Sequence, residues 1–297
     1  MRETCVKISL IQMCSSIDEY KNTAGLDAYF KEASENGSKM VFAPEFSGAL
    51  TPAGLAKTSL FVDAAKRAAA HYRIWAHIGS LPVRTEDGLS HYNRSFVIDD
   101  SGKICAYYDK IHLFKAAIKD GETWDESNSY RAGTQVKTVR TPLGTVGLST
   151  CYDVRFPGMF DLFGRLGTEI IAVPSAFTKQ TGTAHWHLLL RARAVEAQAF
   201  VVAAAQSGCH EDGRETYGHS LVVDPWGAVL LDMGQTSGIG HAYLDLRSIS
   251  DARRQVPALK NKVSFYPVKE TSAFEESRII GNGSMSGISF KVGDFGS

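Results

Sequence analysis

Apolar and polar positions alternate over Cys5–Met13, with Val6, Ile8, Leu10 and Gln12 on one side of an extended chain. That period predicts a strand with a buried face. The period then changes: Leu26, Tyr29 and Phe30 recur at helical spacing within 18–36. Met40–Pro44 is a short apolar run ending at Pro44-Glu45, which predicts a strand emptying into a loop. A helix over 53–72 and a strand over Ile74–Leu81 follow.

Two later segments share a pattern. Ser95-Phe-Val-Ile-Asp-Asp-Ser-Gly102 leads into Lys103-Ile-Cys-Ala-Tyr-Tyr108, and Ser220-Leu-Val-Val-Asp-Pro-Trp-Gly227 leads into Ala228-Val-Leu-Leu-Asp-Met233. Each is a β-run, a turn with Asp first and Gly last, and a second β-run, so each reads as a hairpin. The fold has two related halves if the copies are more than coincidence. Between them, strands at 145–150, 169–173 and 200–206 alternate with helices at 156–166 and 184–199. This βαβαβ run predicts an α/β layered protein. No linker divides the first 270 residues, so 1–270 is expected as one domain. Residues 271–297 read as a tail, since five of 281–297 are Gly and four are Ser.

Composition narrows the function classes. Of 297 residues, 44% are hydrophobic and 22% charged, which excludes a disordered or collagen-like chain. Thirty-two basic side chains balance 32 acidic ones, so no net field draws the protein to nucleic acid or to an acidic membrane surface. The start carries no secretory pattern, and no apolar stretch is long enough to span a bilayer. Cys5, Cys14, Cys105, Cys151 and Cys209 are scattered, odd in number and without a CxxC pair, which reads as a reduced, cytoplasmic protein.

Cys151 lies between the strand at 145–150 and a helical pattern, where free backbone N–H groups favour an anion. That position is expected to lower a thiol pKa and to offer donors to an oxyanion. The bland alternative is a small core hydrophobe. The histidines supply no clear base: His185 and His187 make only an HxH pair, and His112, His210 and His219 lack a partner pattern. The carboxylates and lysines offer more. Glu45 ends a strand, Lys110 ends the β-run 104–109, and Glu126 sits in the polar loop 125–129. Taken singly each reads as a surface charge; together they put an acid, a cation and a thiol at strand ends.

Ala43-Pro-Glu-Phe46, Tyr108-Asp-Lys-Ile-His-Leu-Phe114 and Ser149-Thr-Cys-Tyr-Asp-Val-Arg-Phe-Pro157 resemble, in order, the three signature blocks of the nitrilase, or carbon–nitrogen hydrolase, superfamily. The resemblance covers roughly residues 5–267. Pro174–Phe177, Thr181-Gly, Ala184–Trp186, Arg191–Glu196, Ala203–Gln206 and Tyr217–Gly227 resemble the Nit branch, and within it the deaminated glutathione amidases, the branch fused to a Fhit domain in some animals. Gly158 departs from the Glu usual after Arg-Phe-Pro, and 178–180 and 209–216 also differ, which bears on the substrate rather than the triad.

The resemblance implies a four-layer αββα sandwich that pairs as an αββα–αββα dimer, with the helix after Cys151 and the segment near 258–267 as contacts. It implies Glu45, Lys110 and Cys151 as catalytic residues, with Glu126 beside them. Tyr152, Arg155, Phe177, Thr181 and Tyr217 are the implied substrate-binding residues. The expected reaction is hydrolysis of a terminal amide to carboxylate and ammonia through a thioester. Glu45 is base and then acid, and Lys110 and the Tyr152 N–H meet the oxyanion. Deaminated glutathione is the expected substrate; an ω-amidase acting on α-ketoglutaramate, or a silent binding protein, are the alternatives. The expected partners are a small-molecule amide and a second copy of the chain, with no nucleic acid, membrane, metal or cofactor.

Overall fold

A computed structural model describes residues 3–54, 59–117 and 123–263. The first strand, β1 (Cys5–Gln12), keeps the expected alternation. The helix expected over 18–36 is two, α1 (Glu19–Ala24) and α2 (Leu26–Glu35), because Gly25 closes the first and opens the second. Glycine gives up the most backbone entropy in a helix interior, so the break falls there. After β2 (Met40–Phe42) comes a single 3₁₀ turn, Pro52–Gly54, and then α3 (Leu60–Tyr72), whose Ser59 cap accepts from the Val62 N–H. The helix expected over 53–72 therefore starts later, and residues 55–58 lie outside the described residues.

Strands β3 (Trp75–Arg84), β4 (His91–Ile98) and β5 (Ile104–Asp109) form an antiparallel meander, and β6 (Lys115–Ala117) pairs with β7 (Thr123–Asp125). The second half runs β8 (Lys137–Thr141), β9 (Gly144–Leu148), α4 (Pro157–Arg165), β10 (Ile170–Ala172), α5 (Lys179–Ala197) and β11 (Phe200–Ala203). It continues through the short hairpin β12 (Ser207–Cys209) and β13 (Glu215–Tyr217) to β14 (Leu221–Val223) and β15 (Val229–Asp232). Last come β16 (Gly238–Asp245) and α6 (Arg247–Gln255).

Two six-stranded sheets result, ordered β16-β1-β2-β3-β4-β5 and β8-β9-β10-β11-β14-β15. In each, three parallel strands are flanked by an antiparallel strand on one side and the Asp–Gly hairpin on the other. The two sheets thus share one strand arrangement, although β8 directly precedes its parallel strands and β16 follows the second sheet, and the repeated sequence pattern marks the equivalent edge. Both turns close alike: Asp99 accepts from the Ser101 and Lys103 N–H groups, Asp224 from those of Trp226 and Ala228.

Layering follows from strand periodicity. Val6, Ile8, Leu10, Met40 and Phe42 pack with Val146, Leu148, Ile170 and Val201 of the other sheet, and with α4 and α5. Ile11, Val41, Ala76 and Ile98 face the opposite way, onto Leu26 and Phe30 of α2 and Phe61 and Ala65 of α3. This is the αββα sandwich, an α/β architecture with each sheet covered by helices. Among the described residues no helix is long and apolar enough to cross a membrane. The tail expected at 271–297 lies outside the described residues.

Candidate active site

Three strand ends converge. Glu45 follows β2, Lys110 follows β5 and Cys151 follows β9. Getting Glu45 there needs a close backbone approach. A side chain at Gly79, whose φ is +67, would have its Cβ 1.8 Å from the Pro44 carbonyl oxygen, so only glycine lets β3 bend beneath the Glu45 loop. The Ser80 N–H donates to that carbonyl, and the Glu45 carbonyl accepts from Gln206 Nε2 at 2.9 Å.

The Glu45 side chain is 1% exposed. Its Oε1 accepts from Asn93 Nδ2 at 2.8 Å and from Lys110 Nζ at 2.9 Å, and its Oε2 from the Ala176 N–H at 2.9 Å. Lys110 is equally buried and also reaches Glu126 Oε2 at 2.8 Å. Glu126 is anchored in turn by the Phe114 N–H, 2.8 Å from Oε2. One ammonium therefore lies between two carboxylates. Burial works against its charge, but Glu126 and Glu45 outweigh that and hold its pKa well above the usual lysine value. Burial raises the Glu126 pKa, with Lys110 pulling it back and Glu45 adding to the rise. A pair this buried is kept only while both partners stay.

Cys151 is 7% exposed and has a left-handed backbone, φ +48. Such a conformation costs a non-glycine residue on the order of 1–3 kcal/mol and persists where neighbours enforce it. They do so here. The Cys151 N–H donates to the Pro174 carbonyl at 3.0 Å, and Asp153 locks the turn that follows. Asp153 Oδ2 accepts from the Thr150 N–H at 2.8 Å and the Tyr108 hydroxyl at 2.7 Å; Oδ1 accepts from the His112 N–H at 3.1 Å and lies 2.7 Å from its Nδ1. His112 stacks on Phe156, ring centroids 3.6 Å apart. One buried carboxylate thus ties the Cys151 turn to the segment carrying Lys110.

The thiol does not behave as its position in sequence suggests. Its pKa is pushed well above the ordinary thiol value, by burial first and then by the Glu45 charge, with Lys110 only partly offsetting them. Residues 151–155 form a 3₁₀ turn and α4 starts only at Pro157, so the helix end is too weak a field to win. The resting thiol is neutral beside a carboxylate able to take its proton. The first bond of the turn runs from the Asp153 N–H to the Thr150 carbonyl, which leaves the Tyr152 N–H without an intrahelical acceptor.

Glu45, Lys110, Glu126 and Cys151 line one cavity of about 230 Å³, with Tyr152, Arg155, Phe177 and Thr181 on its walls. Arg155 lies over the rings of Phe177 and Tyr152 at 5.4 and 6.0 Å, and 3.4 Å from His185 Nδ1. Among the described residues no carboxylate pairs with it. Tyr217 is placed elsewhere: its ring stacks on His219, centroids 4.4 Å apart, and it is absent from the cavity lining. A second guanidinium was not read from the sequence. Arg214, on the loop entering β13, lies over Phe46 and Trp124 at 5.6 and 5.4 Å and lines the same cavity. Asp212 holds it, Oδ2 2.8 Å from Nε. The supporting roles of Asn93, Asp153, His112 and Gln206 were also missed; Asp153, His112 and Gln206 lie in the blocks that carry the resemblance, whereas Asn93 carried no sequence signal.

Residues 7–254 match the family described as carbon–nitrogen hydrolase. The chain is 37% identical over 266 residues to the nitrilase and fragile histidine triad fusion protein NitFhit of Caenorhabditis elegans, covering 86% of this chain but only 60% of that one. It is 35% identical to the deaminated glutathione amidase of Yersinia enterocolitica, covering 86% of this chain and 92% of the relative. The crystal structure of the C. elegans NitFhit protein superposes with a TM-score of 0.81, over 88% of this chain and 66% of that one, at 36% identity. Nit3 of Saccharomyces cerevisiae, a member of branch 10 of the nitrilase superfamily, gives 0.76 at 30% identity over 85% of this chain and 94% of that one.

Proposed function

The chain belongs to the carbon–nitrogen hydrolase family, and from that membership we propose that it is a cysteine amidase with Cys151 as nucleophile, Glu45 as base and then acid, and Lys110 as oxyanion partner. The observation that carries this reading is the meeting of a thiol on a strained backbone, a fixed carboxylate and a buried lysine in one cavity. As sulfur bonds to the amide carbon, Glu45 takes the thiol proton. The oxyanion gathers at Lys110 and the Tyr152 N–H. Glu45 then gives its proton to the departing amine as the C–N bond breaks. It next deprotonates a water that hydrolyses the thioester, returning the proton to Cys151. Glu126 keeps the lysine charged and aimed.

The proposed substrate is deaminated glutathione, the compound named in the relatives' description. This alters the expected product. In that compound the scissile amide joins the keto-acid half to cysteinylglycine, so the leaving group is the cysteinylglycine amine, and ammonia leaves only from an ω-amide. The substrate carries a carboxylate at each end. Arg155 and Arg214, on one cavity, offer a guanidinium for each, since guanidinium pairs bidentately with carboxylate. The assembly is proposed to be a homodimer, with Leu166 after α4 and Leu188 and Val195 of α5, all exposed apolar side chains, as contacts. Free thiols at all five cysteines fit a cytoplasmic setting.

The test is kcat/KM for deaminated glutathione beside α-ketoglutaramate, with Cys151→Ala as blank. Preference for the first supports the reading. Preference for α-ketoglutaramate makes the protein an ω-amidase, and turnover of either by Cys151→Ala removes the nucleophile assignment.

A further inference from the structure

Away from the cavity, three side chains from three elements face one another. His187 comes from α5, His219 from the link between β13 and β14, and Asp232 from the end of β15. Asp232 Oδ2 lies 2.9 Å from His187 Nε2, and Oδ1 lies 2.8 Å from His219 Nδ1. One ligand-capable atom from each lies within 4.8 Å of the others. All three side chains are partly open to solvent, between 19% and 35% exposed.

Contacts from outside the set hold Asp232 and His219 in place. The Gly234 N–H donates to Asp232 Oδ1 at 2.9 Å. His219 has a left-handed backbone, φ +55, fixed by its N–H bond to the Gly234 carbonyl, and its ring is stacked on Tyr217. His187 meets the His219 ring edge-on, centroids 5.3 Å apart. Two rings and one carboxylate pointing inward from braced backbones is more than a helix-to-sheet hydrogen bond requires.

The geometry points to a site for a borderline divalent cation such as Zn²⁺, bound by His187, His219 and Asp232 with water completing the shell. Two imidazoles and a carboxylate are the donor set such ions take, and solvent access leaves room for the fourth ligand. On one tetrahedral ion the donor atoms sit about 3.3 Å apart, given bond lengths of about 2.0–2.1 Å. The present spacings, from 2.8 Å to within 4.8 Å, bracket that value. An imidazole binds a metal through an unprotonated nitrogen, so the ion would replace the present ring contacts to Asp232 at His187 Nε2 and His219 Nδ1. The ion would clamp α5 to β15 and take no part in the amide chemistry. The HxH spacing is not the signal, since His185 turns to Arg155 instead.

The test uses the full chain carrying Cys151→Ala, so that the buried thiol cannot compete for metal. Calorimetric titration with Zn²⁺ should show one equivalent bound per chain. His187→Gln and Asp232→Asn, both at partly exposed positions, should each weaken binding at least about tenfold, the scale of losing a metal-site group. Co²⁺ should give a visible spectrum of nitrogen and oxygen ligation. No binding, affinity unchanged in both variants, or a thiolate-to-cobalt band, which would place the ion at one of the four remaining exposed cysteines, would each overturn the proposal.

Discussion

Asp153→Asn should cost the protein about 3–5 kcal/mol and much of its activity. The carboxylate is fully buried and meets four donor groups: the Tyr108 hydroxyl, the Thr150 N–H, the His112 N–H and His112 Nδ1. An amide has one accepting oxygen, so one side of the new group must present NH₂. If it faces Oδ2's partners, the Tyr108 hydroxyl can turn to accept but the Thr150 N–H cannot. If it faces Oδ1's partners, the His112 ring can change tautomer but its backbone N–H cannot. Either orientation loses a hydrogen bond to a charged group, about 1.5–3 kcal/mol, and orphans a buried N–H, about 1–3 kcal/mol. At about 2–4 °C per kcal/mol for a domain of this size, the melting temperature should fall by about 6–20 °C. Tyr108→Phe removes the bond to Asp153 and the one accepted from the Ile111 N–H, but leaves the acid's other three donors in place, so it should cost less. Urea unfolding followed by tryptophan fluorescence measures both. An Asp153→Asn protein within about 1 kcal/mol of the parent, or no worse than Tyr108→Phe, would refute the argument that this carboxylate holds the Cys151 turn.

Lys110→Ala should lower kcat at least about a hundredfold, the scale of removing one oxyanion donor, as initial rates at saturating substrate will show. Arg155→Ala should raise KM about tenfold or more, from about 1.5–3 kcal/mol of lost charged hydrogen bonding, with kcat little changed if the contact is equal in ground and transition states. An acid-side effect should come from Glu211, whose pKa is lowered to about 2 by hydrogen bonds from Lys21, Ser16 and the Ile17 N–H. A depressed carboxylate contributes stability that is full above its unfolded value, 4.5, and is lost as pH falls through about 2. Melting temperatures of Glu211→Gln should therefore lack part of the parent's fall across that window.

Glu45, Lys110 and Cys151 each follow a strand-like run, but singly they read as surface charges and a core thiol, and only the resemblance of their three blocks grouped them. The hairpins were legible because Asp and Gly occupy the two demanding turn positions. Partners supplied from far along the chain were not. Asn93 and the Ala176 N–H orient Glu45 across remote strands, and nothing local marks either. Arg214 sits on a hairpin of two three-residue strands, too short to show a period. Asp153 lies in the Cys151 block, but its partners Tyr108 and His112 are remote in sequence and meet it only in the fold. Strand β16 was passed over because Gly238 and Gly240 interrupt its alternation; its place comes from pairing along all of β1. The thiol's direction of shift was misread because a helix end is visible in sequence whereas burial and Glu45 are not.

Catalysis by Cys151 requires an acyl intermediate on its sulfur. Deaminated glutathione and α-ketoglutaramate share one acyl half and differ in the amine that leaves. With hydroxylamine present during turnover, both should yield hydroxamate and free acid in the same ratio, because both pass through the same thioester. A ratio that changes with the leaving amine, or turnover with no hydroxamate from either, would contradict a common acyl-Cys151.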